Sequence, residues 1–100
     1  MLRHVVLFRW RAETTPAQLE ALGRALVALP GQVPQIRAYR FGADAKLVEG
    51  NFDFAIVADF DDVAAWRAYA AHPAHQKLVT ESIRPLTAER AALQYRVDDA

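Results

Sequence analysis

The chain has no cysteine, a single methionine and four glycines, and its 12 basic residues are balanced by 12 acidic ones. Without cysteine there are no disulfides, no thiolate nucleophile and no thiolate metal site, although an oxidising and a reducing compartment both remain compatible. No Gly-rich phosphate loop is present, so nothing calls for flavin or nicotinamide, and no cysteine ligand points to haem. No cofactor is expected. Zero net charge provides no field to hold a polyanion or an anionic membrane, which argues against nucleic-acid and membrane partners. The apolar run Val5 to Phe8 lies between Arg3 and Arg9, far short of the roughly 20 apolar residues of a membrane span or of a signal-peptide core. A cytoplasmic protein with one domain over residues 1–100 is the expectation, because a chain of this length has no spare core for a second.

What is present is periodic. Leu2 to Arg11 reads as a strand with Leu2, His4, Val6, Phe8 and Trp10 on a dry face and Arg3, Val5, Leu7, Arg9 and Arg11 on the other. Thr15-Pro16-Ala17-Gln18 is a capping box that starts a helix, along which Leu19, Leu22, Leu26 and Leu29 recur until Pro30-Gly31 stops it. Gln35 to Gly42 predicts a second strand, 43–51 a loop, and Phe52 to Phe60 a third strand that alternates Phe52, Phe54, Ile56, Ala58 and Phe60 against Asp53, Ala55, Val57 and Asp59. Asp61 or Asp62 can cap a helix carrying Trp66 and Tyr69, which His72-Pro73 interrupts; a further helical segment runs toward Pro85, and Ala91 to Val97 is the last strand.

The order β-α-β-β-α-β predicts an α+β, ferredoxin-like fold: a four-stranded antiparallel sheet with both helices on one side. The other face of the sheet would carry Val5, Leu7, Ala55 and Val57, too apolar to remain wet. A second copy of the chain is the expected cover, giving a dimeric α/β barrel in which arginines of one subunit could meet aspartates of the other.

An opening strand with His4 followed by alternating apolar residues, the strand from Pro34 to Gly42, and above all Trp66 to His75, W-R-A-Y-A-A-H-P-A-H, resemble the stress-responsive A/B barrel domain family. The resemblance runs from about Leu2 to about Val97. It implies a ferredoxin-like subunit, a homodimer and a pocket between sheet and helices. The family includes plant stress-response proteins and a polyketide cyclase, olivetolic acid cyclase. By motif matching, the cyclase's catalytic histidine and tyrosine fall on His75 and Tyr69, and its opening-strand histidine on His4. Leu22, Gly23 and Leu26 stand where the cyclase has bulky aromatic pocket residues, and a late tryptophan is replaced near Leu86, so the plant substrate does not carry over.

The chemistry of these residues suits such a role. A histidine in a partly dry pocket can exchange a proton with a carbon acid near neutral pH, which makes His75 the candidate base. Tyr69 can donate to a carbonyl oxygen as charge develops on it, and His4 has a supporting part. An apolar pocket lined by Val6, Phe8, Leu22, Leu26, Ile56 and Leu78 would take a small apolar or polyketide-like ligand for cofactor-free acid/base chemistry of the cyclase or lyase kind. The alternative is a non-catalytic stress-response or hydrophobic-ligand-binding dimer, with His72 a helix cap, His75 a packing residue and Tyr69 and Trp66 core aromatics; a cofactor-free monooxygenase is a third possibility. No His-x-x-x-His pair accompanies the three histidines, and no metal is expected.

Overall fold

The computed structural model describes residues 1–98. β1 (Leu2–Trp10) leads through the capping box into α1 (Pro16–Ala28), where the Thr15 hydroxyl accepts from the Gln18 amide and the Gln18 side chain accepts from the Thr15 amide. After a tight turn at Leu29–Gly31 come β2 (Ala38–Ala43) and β3 (Phe54–Phe60), then α2 (Val63–Ala71), α3 (Pro73–Leu78), two irregular turns over Val79–Ile83 and Arg84–Leu86, and β4 (Thr87–Arg96). The strands form one antiparallel sheet in the order β2-β3-β1-β4. This is the ferredoxin-like arrangement, with helices on one face.

Alternation within β1 divides the molecule into two sides. Val6 and Phe8 face the helices and join Leu22, Leu26, Leu29, Val33, Ile56 and Phe60 in the core. Each such buried side chain contributes about 1.5–3 kcal/mol by leaving water. Leu19, expected on the same helical stripe, is instead exposed at the first turns of α1. The opposite sheet face carries Val5 and Leu7 of β1 against Val57 and Ala55 of β3, and β4 extends it with Ala91, Leu93 and Tyr95 at matching register positions. Among the described residues no helix covers that side, and Leu93 and Tyr95 are 55% and 45% exposed.

Three strand starts differ from those the sequence predicts, for local reasons. β2 begins at Ala38 rather than Gln35 because the Val33 and Ile36 amides are spent on tight turns with Leu29 and Val33 carbonyls. β3 begins at Phe54 rather than Phe52 because the Asp53 carboxylate turns back to accept from the Trp10 amide. β4 begins at Thr87, four residues before Ala91, pairing with Trp10 across an irregularity between Arg9 and Trp10. It is an edge strand whose first residues, Thr87-Ala88-Glu89-Arg90, are mostly polar and largely exposed, so the apolar alternation that marks a strand begins only at Ala91.

The ion pairs also differ from expectation. Arg3 grips Asp59 through two hydrogen bonds of 2.8 and 2.9 Å within the same chain, as β1 and β3 place them opposite each other. Arg9 pairs with Glu89 and Arg37 with Asp61. These contacts satisfy Arg3, Arg9 and Asp59 internally, so an arginine–aspartate lattice between subunits is not needed to neutralise them.

Candidate functional site

Between the sheet and the α2–α3 hairpin lies a cavity of about 410 Å³, within the range of roughly 300–1,000 Å³ usual for small-molecule pockets. β1 supplies His4, Val6 and Phe8 at every second residue, β3 supplies Ile56, and α2 supplies Trp66 and Tyr69 one turn apart. The sharp passage from α2 to α3 places the rest. His72 ends α2 and caps α3, its Nδ1 accepting from the Ala74 amide at 3.0 Å, and Pro73 occupies the first helical position. The chain therefore turns tightly enough to lay the His75 ring on Tyr69, with centroids 4.1 Å apart.

The hydrogen bonds assign the histidine tautomers. His75 Nδ1 lies 3.3 Å from the Ala70 carbonyl oxygen. A carbonyl can only accept, so Nδ1 carries the proton and Nε2 keeps its lone pair. Burial pushes the His75 pKa below its ordinary value against the opposing Ala70 contact, and the charge of Arg90 adds to the depression. His4 is 5% exposed and its Nδ1 accepts from Gln94 Nε2 at 2.9 Å. Burial first, then Arg90 and His75, push its pKa down to about 4. Both histidines are neutral at pH 7. The Tyr69 phenol is pushed up to about 12, chiefly by burial, so it keeps its proton and remains a donor.

Of the residues expected at the site, His4, Val6, Phe8, Ile56, Tyr69, His75 and Leu78 line one cavity. Leu22 and Leu26 do not: they are 2% and 0% exposed, fixed in the packed core by α1's apolar stripe. Gly23, expected beside the same space, borders a separate groove between α1 and β2 with Trp10, Phe41 and Phe54. His4 forms no hydrogen bond to His75 among the described residues; Gln94 orients it instead.

Several lining residues escaped the sequence reading: Tyr39, Arg84, Thr87 and Arg90, with Val79 and Ile83. Trp66, for which core packing was the safer assignment, also lines the cavity. Strand parity could have found Tyr39, which lies opposite Ala58 on the helix side. The late start assigned to β4 hid Arg90, which lies opposite Phe8. Tyr39 Oη and Trp66 Nε1 are buried without a hydrogen-bond partner, and the Tyr39 pKa is raised, mainly by burial and then by the neighbouring Tyr69. The wall thus presents donors with no acceptor of their own, an arrangement suited to oxygen atoms on a bound molecule.

The model of the stress-responsive A/B barrel domain matches residues 2–97. The chain belongs to the stress-responsive A/B barrel domain family. An uncharacterized protein of Streptomyces coelicolor is 34% identical over 79 residues, covering 76% of this chain and 80% of that protein. A dimeric ferredoxin-like protein of unknown function from Thermobifida fusca is 44% identical, with a TM-score of 0.89 over 96% of this chain and 90% of that one. A hydroxynitrile lyase from Passiflora edulis superposes with a TM-score of 0.87 over 99% and 94% of the two chains, at 18% identity; that likeness concerns the fold. In this stress-responsive A/B barrel domain, the W-R-A-Y-A-A-H-P-A-H segment is the stretch that builds the helix break and sets His75 on Tyr69.

Proposed function

We propose that this A/B barrel protein is a homodimer that carries out cofactor-free acid/base chemistry on a small, apolar, carbonyl-bearing molecule in the cavity under α2 and α3. The observation that carries the reading is the His75–Tyr69 pair: a neutral histidine with Nδ1 tied to a backbone carbonyl, packed at a tilt against a protonated phenol inside an apolar cavity. His75 Nε2 would take the α-proton of the ligand. The Tyr69 hydroxyl would donate to the carbonyl oxygen as enolate charge grows, and the dry surroundings would strengthen that hydrogen bond. Tyr39 and Trp66 offer further donors, and His4, held by Gln94, contributes a fixed polar wall. Val6, Phe8, Ile56 and Leu78 would hold the apolar part. A polyketide-type cyclisation is a reaction that begins with this α-proton removal, and the fold carries a hydroxynitrile lyase in the Passiflora protein.

Dimerisation would proceed through the uncovered sheet face, where Leu93 and Tyr95 add to the patch of Val5, Leu7, Ala55 and Val57. The related Thermobifida protein is described as dimeric.

The test is a turnover screen over short β-polyketide thioesters, aryl ketones and cyanohydrins. With any substrate so found, His75→Ala should lower the rate by about 10²-fold or more with the protein still folded, the scale expected for a positioned general base. Tyr69→Phe should lower turnover while leaving the melting temperature nearly unchanged. The rate should fall with acid along a limb centred below 6.5, because the active form of His75 is unprotonated and its pKa is depressed. If His75→Ala turns over as fast as the native protein, the binding-dimer reading replaces this one.

A further inference from the structure

The reactive pair sits beside two arginines that no carboxylate among the described residues pairs with. Arg84, on the turn before β4, and Arg90, on the helix side of β4 opposite Phe8, both line the cavity. The salt bridges among the described residues join Arg3, Arg9 and Arg37 to Asp59, Glu89 and Asp61. None involves Arg84 or Arg90, and no side-chain hydrogen bond engages either guanidinium there. Among the described residues no Asp or Glu lines the cavity. Two buried wall groups without a partner among the described residues, Tyr39 Oη and Trp66 Nε1, can also donate.

A pocket edged by two exposed arginines that pair with no carboxylate among the described residues is complementary to an anion. Arg presents a planar fork that meets a carboxylate with two parallel hydrogen bonds. The charge of Arg90 is felt across the site, opposing protonation of His4 and His75 and favouring ionisation of Tyr69. It therefore lies within electrostatic reach of the groups that would touch a ligand.

We propose that the cavity's ligand is an amphipathic carboxylate, its acid group held by Arg90 with Arg84 beside it and its apolar body lying among Phe8, Ile56 and Leu78. This narrows the ligand class and rests on the reading of the cavity as a ligand site. The anionic end lies toward β4 and the carbonyl toward Tyr69 and His75, so the favoured skeleton is an oxo acid.

A matched pair of ligands tests it. Calorimetric titration at pH 7.5 compares 4-oxo-4-phenylbutanoate with its primary amide, on the native protein, Arg90→Gln and Arg90→Lys, each first checked for an unchanged melting transition. The native protein should bind the acid at least about tenfold more tightly than the amide, the range expected for a charge-assisted hydrogen bond. Arg90→Gln should remove that preference by weakening the acid alone, Arg90→Lys should retain part of it, and Arg84→Gln should weaken it less than Arg90→Gln. Equal affinities of acid and amide for the native protein would overturn the carboxylate assignment and leave the cavity reading standing. A preference that survives Arg90→Gln would overturn the role of Arg90. Failure of both molecules to bind at millimolar concentration would overturn the cavity reading together with this one.

Discussion

Mild acid should destabilise this protein through His4, in a window where few other groups titrate. His4 is buried at 5% exposure, and its pKa moves from 6.5 in an unperturbed chain to about 4 in the fold. The sign follows from which state takes up the proton. As pH falls below 6.5 the unfolded chain protonates while the folded one resists, so stability is whole above 6.5 and is lost progressively as pH drops toward 4. Each pH unit of displacement corresponds to about 1.4 kcal/mol, giving a loss of at most about 3 kcal/mol across the window. His75, depressed in the same direction, adds to it. Asp59 and Asp61, with pKa values held below 3.8 by Arg3 and Arg37, lose their contributions only at lower pH. The assay is urea unfolding at fixed protein concentration between pH 7.5 and 4.5 for the native protein and His4→Asn, whose side-chain oxygen can still accept from Gln94. The native free energy should fall by about 2–3 kcal/mol more than that of the variant. Parallel curves would refute the buried, neutral state of His4.

Val57→Lys would set two like charges near the axis of the proposed dimer, a cost on the order of several kcal/mol. Light scattering should then move from two chain masses toward one; a variant that stays fully dimeric would put the interface on another face. His72→Ala removes the acceptor of the Ala74 amide and should cost about 0.5–2 kcal/mol of stability, as lost helix caps do. Thermal unfolding measures that loss, and any effect on turnover should be small beside that of His75→Ala. Asp62→Ala, which removes the acceptor of the Ala65 amide, should cost a similar amount at the start of α2.

The fold was legible because its buried strands and capped helices carry strong local signals. The alternation of β1 and β3 fixes which residues face the helices, and Thr15-Pro16-Ala17-Gln18 forms the capping box that its residue types require. The second helix start was ambiguous between Asp61 and Asp62; packing settles it, since Asp61 is engaged by Arg37 and Asp62 caps α2. Less legible was the start of β4, where the mostly polar Thr87-Ala88-Glu89-Arg90 carries no apolar period. That one misplaced boundary concealed Arg90 and with it the charge of the site. The inclusion of Leu22 and Leu26 failed for a different reason. Helical spacing shows that two leucines point inward, but it does not distinguish a packed core from a cavity wall. The His72–His75 segment stood out in sequence, yet the tautomer of His75 depends on the Ala70 carbonyl, which no residue pattern reveals.

The central claim is that His75 is a neutral base positioned to remove a proton from carbon, and α-proton exchange in D2O reads that step without requiring a known turnover. Proton NMR would follow loss of the α-proton signals of aryl ketones and short acyl thioesters, with and without a carboxylate, in the presence of native protein or His75→Ala at pD 7.5. The native protein should accelerate exchange of at least one bound member, and His75→Ala should slow it by about 10²-fold while still binding the ligand. Equal exchange rates with the two proteins, at matched ligand occupancy, would contradict it.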